Sequence, residues 1–73
     1  MDPMNATTLQ VTFEHGQDMY RCELHDLDVQ GIECHWFLNG TLLQTRRFTI
    51  ARLALQWAEE KRRAILAGTA EWS

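Results

Sequence analysis

Seventy-three residues make one domain with a thin core, because a chain this short buries a smaller share of its surface than a larger one. A composition of 45% hydrophobic and 23% charged residues with one proline argues against a disordered chain, and no run approaches the roughly 18 apolar residues that span a membrane. Net charge is −3, but residues 1–34 hold seven acids and one base (−6) and residues 35–73 hold six bases and three acids (+3), so the two halves differ in sign.

Residues 1–7 show no period and read as a flexible lead-in, leaving 8–73 as a single folded unit. The opening MDPMNATT lacks the basic start and apolar core of a signal peptide, so a cytoplasmic location is expected. From Leu9 the chain alternates: Leu9, Val11 and Phe13 share one face and Gln10, Thr12 and Glu14 the other. Tyr20, Cys22 and Leu24 repeat the alternation. A two-residue Gly16-Gln17 turn of type II′ pairs Phe13 with Tyr20, Val11 with Cys22 and Leu9 with Leu24, and sets His15 opposite Asp18.

After a connecting loop over 26–31, Ile32, Cys34, Trp36 and Leu38 alternate with Glu33, His35 and Phe37. Asn39-Gly40 is a strong short hairpin signal, because a type I′ turn needs positive φ at both central residues. The two-residue loop predicts the pairs Leu38–Thr41, Phe37–Leu42, Trp36–Leu43 and Glu33–Arg46. Phe37 and Leu42 then lie on the face opposite the core, beside the Glu33–Arg46 pair and His35.

Thr49 is the expected N-cap of a helix of about 18 residues, with Phe48 and Leu53 placed as a hydrophobic staple. Ile50, Leu53, Ala54, Trp57, Ala58 and Ile65 follow helical spacing and form the expected buried face. Gly68 is the expected terminator, and Trp72 is positioned to fold back on the core. Trp36 and Trp57 are expected in the same core, and Trp57→Ala to cost about 3–5 kcal/mol. The fold class is α+β: an antiparallel meander of three to four strands, then one C-terminal helix on one sheet face (ββββα).

Cys22, His25, Cys34 and His35 have the chemistry of zinc ligands. Strand alternation sends each cysteine and its neighbouring histidine to opposite faces, so these four cannot converge on one ion. If the second and third strands pair about Asp28, Cys22 faces Cys34 under the helix, and core thiols are expected rather than a metal, a disulfide or a nucleophile. No cofactor is expected. No Ser/His/Asp spacing, Gly-rich phosphate loop or paired carboxylates in a pocket can be built, so neither an enzyme nor a small-molecule substrate is expected.

Arg46, Arg47, Arg52, Arg62 and Arg63 form the basic cluster. Two readings compete. One is a non-catalytic protein-interaction module, a homodimer or a binder of another protein, using Phe37, Leu42, Glu33, His35 and Arg46. The other is nucleic-acid binding through Arg46, Arg47, Arg52 and the basic end of the helix, which the acidic strand residues Glu14, Glu23 and Glu33 oppose.

The order YRCEL, GIECHWFLNGTLL, RRF and ALQWAEEKRR resembles a set of short bacterial proteins that join a meander to a helix with Ala-x-x-Trp-Ala-Glu-Glu-x-Arg, here Ala54 to Arg62. The resemblance covers about residues 19–66 and implies the ββββα fold and a bacterial or phage origin; it implies no activity. A sheet, then Arg-Phe, then a helix with Ala and Trp is also similar to AP2-type and integrase arm-binding DNA modules. That likeness implies a sheet face reading DNA through basic and aromatic residues.

Overall fold

A computed structural model describes residues 9–72 of the chain, so the lead-in expected over 1–7 lies outside the described residues. Four strands, β1 (Leu9–His15), β2 (Asp18–Asp26), β3 (Ile32–Leu38) and β4 (Thr41–Phe48), form one antiparallel sheet in the order β1-β2-β3-β4. One helix, α1 (Ala51–Ala67), follows and packs over β3 and β4. Among the described residues, no helix is long and apolar enough to cross a membrane.

The first hairpin has the predicted register, with Leu9, Val11 and Phe13 opposite Leu24, Cys22 and Tyr20, and His15 opposite Asp18. Phe13 and Tyr20 stack at 5.6 Å between ring centroids, the kind of cross-strand pair that anchors a hairpin. The second turn also forms as predicted: Asn39 and Gly40 take φ of 51° and 87°, and Leu38 pairs with Thr41 and Phe37 with Leu42. Asn39 further ties the two hairpins together. Its N–H donates to the Met19 carbonyl at 2.8 Å, and its Oδ1 accepts from the Met19 N–H at 2.9 Å.

Two registers differ from expectation. β2 and β3 pair Cys22 with Trp36 and Leu24 with Cys34, two residues away from a pairing about Asp28. The cause is the connection: a single 3-10 turn (Asp28–Gln30) closed by the Leu27 N–H to Gly31 carbonyl bond at 2.7 Å. A shift of two preserves parity, so each side chain keeps its predicted face. In the second hairpin, a bulge shifts the register between Phe37 and Trp36. Trp36 now faces Gln44, Cys34 faces Arg46, and Glu33 faces Arg47. The predicted Trp36–Leu43 and Glu33–Arg46 pairs therefore do not form, because one extra residue on β4 reverses its alternation. The bulge brings Phe48 to the helix side, where its ring lies 5.7 Å from that of Trp57.

The core holds Cys22, Leu24, Cys34 and Trp36 from the sheet and Ala54 and Ile65 from the helix, with Phe13, Tyr20, Phe48, Trp57, Ala58 and Trp72 packed around it. The Trp72 ring lies 5.8 Å from Trp36, so the tail folds back as predicted. Trp57 is only half-buried, at the helix edge, and Ile50 and Leu53 are exposed, which narrows the expected buried face. The helix starts at Ala51 with Ile50 extended before it and no side-chain cap, so the expected Thr49 cap and Phe48–Leu53 staple are not used. The chain leaves β4 extended, and the helix forms where Ala54 first reaches the sheet. Its C-terminus closes as predicted: Gly68 donates to the Ile65 carbonyl at 3.1 Å and Thr69 to that of Ala64 at 2.8 Å.

On the exposed helix face, Arg62 and Arg63 donate to Glu59, at 2.6 Å and 3.1 Å to its Oε2. The hydrogen bond from Arg62 leads in holding the Glu59 carboxyl down at about 2. The folded value lies below the unfolded one, so this support is complete above the ordinary carboxylate range and vanishes as pH falls toward 2. Carbon-13 NMR should show Glu59 titrating well below the other glutamates, and Arg62→Ala should raise its midpoint toward the ordinary value.

Candidate functional site: the uncovered sheet face

Strand alternation turns Met19, Arg21, Glu23 and His25 of β2 away from the helix, with Glu33, His35 and Phe37 of β3 beside them. Beyond the bulge, Thr45 and Arg47 join Leu42 on this face. Three cross-strand rows result: Arg21–Phe37–Leu42, Glu23–His35–Thr45 and His25–Glu33–Arg47.

The first row is apolar with a cation over it. The Arg21 guanidinium lies 4.0 Å from the Phe37 ring centroid, and Leu42 is 52% exposed. Met19, two residues from Arg21 on the same face, is 39% exposed. Beside this row run two matched polar chains, in each of which a glutamate holds one arginine and one histidine. Glu23 holds Arg21 at 2.8 Å through Oε2 and His25 at 2.9 Å through Oε1. Glu33 holds Arg47 at 2.9 Å through Oε2 and His35 at 2.9 Å through Oε1. The two imidazoles stack with centroids 4.5 Å apart.

Burial pushes the Glu23 carboxyl up, but the hydrogen bond from His25 and the charge of Arg21 outweigh it and hold it below the usual range. For Glu33, the hydrogen bonds from Arg47 and then His35 lower it.

Of the residues assigned to a protein-binding face from sequence, the structure brings together Phe37 and Leu42, and Glu33 and His35. Arg46 does not join them. The bulge sends it to the helix side, where its guanidinium lies 5.3 Å and 5.6 Å from the Phe48 and Trp57 rings, and Arg47 takes its place beside Glu33. The basic cluster is dispersed as well. Arg47 points outward to Glu33, Arg62 and Arg63 are tied to Glu59, and Arg46 lies over aromatic rings. Sequence reading missed Met19, Arg21, Glu23 and His25. For Glu23 and His25 the signal was the repeated Glu-x-His of Glu23–His25 and Glu33–His35.

On the other face, the two thiols meet under the helix. Cys22 Sγ and Cys34 Sγ share a hydrogen bond at 3.3 Å, and both residues are free cysteines. That bond, together with burial, holds the Cys22 thiol far above its ordinary range; it favours charge on Cys34, which burial opposes. Because α1 covers β3 and β4, an apolar cleft of about 180 Å³ opens between β1 and the helix, lined by Leu9, Val11, Phe13, Leu24 and Leu55. Leu55 and Leu66, both off the predicted helical stripe and both exposed, were the sequence signal that the helix is apolar on more than one side.

No protein-family model, curated protein or solved structure matches the chain.

Proposed function

We propose that the chain is a small non-catalytic protein-interaction module that works through the sheet face its helix leaves open. The observation that supports this is the cross-strand Phe37–Leu42 pair at one end of that face, with Leu42 and Met19 exposed and Arg21 laid over Phe37. Aromatic, Met and Arg side chains are the types enriched where proteins meet. Large apolar groups on an open sheet otherwise lower solubility with no return. A second copy of the chain is the simplest partner, since isologous pairs are the commonest oligomers. A role as a bacterial or phage regulator or inhibitor fits a binding surface without a catalytic centre. The ion-paired rows beside the patch suit a polar rim, because Arg21 and Arg47 already hold Glu23 and Glu33 within the protein.

The nucleic-acid reading has less support. Arg47, Arg62 and Arg63 already hold acidic partners, and the open face carries Glu23 and Glu33. In sedimentation and pull-down experiments, Leu42→Glu and Phe37→Ser/Leu42→Ser should leave the circular dichroism unchanged while abolishing association. Association as strong as the parent's in both variants would reject the surface. Steeply salt-dependent DNA binding that is lost on charge reversal at Arg46, Arg47 and Arg52 would replace this reading with the second one.

A further inference from the structure

The sequence repeats Glu-x-His at Glu23–His25 and Glu33–His35, on strands that run antiparallel and adjacent. The observed register sets Glu23 opposite His35 and His25 opposite Glu33. Residues two apart on a strand share a face, so the four side chains form a checkerboard, with imidazoles on one diagonal and carboxylates on the other. One donor atom each from Glu23, His25 and His35 lies within 4.8 Å of the others. We infer that this square is a binding site for one divalent transition metal of the zinc class, with Glu23, His25 and His35 as ligands and Glu33 at the fourth corner.

Three features carry the inference beyond proximity. First, each glutamate divides its oxygens: Oε2 faces an arginine and Oε1 faces an imidazole Nε2. Arg21 and Arg47 thus orient the carboxylates from behind, and the atoms turned toward the centre are those a metal would take. Outer partners of this kind are what position metal-binding side chains. Second, the three ligand side chains are 16–23% exposed, withdrawn from solvent yet open on one side for an ion to enter. Third, a tetrahedral ion with bonds of about 2.0–2.1 Å needs donors about 3.4 Å apart. Two of the three donors already stand 2.9 Å apart, and the third lies within 4.8 Å of both.

The donor set selects the metal. Two imidazoles and a carboxylate suit zinc, cobalt or nickel, whereas calcium and magnesium take all-oxygen shells. The thiols cannot contribute, because Cys22 and Cys34 lie under the helix on the opposite face of the sheet. This site differs from the Cys/His set considered from sequence, which alternation splits. It does not depend on the apolar patch acting as an interface.

The test uses tag-free full-length chain stripped with chelator, titrated with zinc by calorimetry and with cobalt by visible absorption. One ion should bind per chain, with cobalt bands of nitrogen and oxygen coordination and no intense near-ultraviolet thiolate band. His25→Ala and His35→Ala should each weaken zinc at least tenfold while circular dichroism stays unchanged, and Cys22→Ser/Cys34→Ser should leave affinity within twofold. The parent's cobalt spectrum decides the matter if a histidine variant does not fold. Absence of stoichiometric binding by the parent overturns the site. So does a thiolate band, or binding that survives both histidine substitutions.

Discussion

Trp36→Ala is expected to remove a large share of the domain's stability. Trp36 is 1% exposed at the middle of β3, edge-on to Phe13 at 6.2 Å and beside Trp72 at 5.8 Å. Truncating a buried tryptophan costs about 3–5 kcal/mol. A domain of this length holds roughly 4–11 kcal/mol in all, so the loss is comparable with the total. Trp36→Phe should cost far less. It keeps most of the apolar volume, and the indole N–H it removes has no hydrogen-bond partner within the protein. Trp57→Ala should cost less than Trp36→Ala, because Trp57 is half-buried at the helix edge. Urea melts of the three variants give the order. Equal losses for Trp57→Ala and Trp36→Ala would show that the core is centred elsewhere.

Gly31→Ala should be the most damaging glycine substitution. Gly31 sits at φ 100°, and a Cβ there would lie 2.4 Å from the Phe48 carbonyl oxygen. The positive φ alone costs an L residue about 1–3 kcal/mol, and the collision adds to it. The clashing atom is backbone at the end of β4, so relief requires prying β4 from β3 where the chain turns into the helix. Gly16→Ala is the control: it too has positive φ, but its Cβ would meet nothing within 4 Å. A thermal melt of Gly31→Ala no lower than that of Gly16→Ala would show that the two strand ends do not approach so closely.

The close approach at Gly31 was invisible in the sequence, since a glycine before Ile32 reads as ordinary loop punctuation. So was the bulge. Asn39-Gly40 predicts a two-residue turn, and the turn forms, but nothing near it signals that Leu43 drops out of the pairing. That event moved Arg46 out of the candidate face and put Arg47 in. The open face itself was legible through Phe37 and Leu42. Its ion-paired half was legible only in part: Glu33 and His35 were placed on this face, but His25 was weighed only with the cysteines, and Glu33 was paired with Arg46 rather than Arg47.

What the sequence by itself determined about this protein is the set of local choices. These are four alternating strands, two tight turns, the register of the first hairpin, and a helix closed at Gly68. Each depends on residues a few positions apart, where side-chain period and turn geometry leave one low-energy answer. Parity belongs with them: a two-residue slip between β2 and β3 changed every partner there and moved no side chain to the other face. Only the tertiary structure decided where β4 breaks its alternation, which strands the helix covers, and which charges pair. Those outcomes follow from packing Phe48 against Trp57 and Ala54 against the sheet, contacts between elements whose distance in space no local pattern encodes.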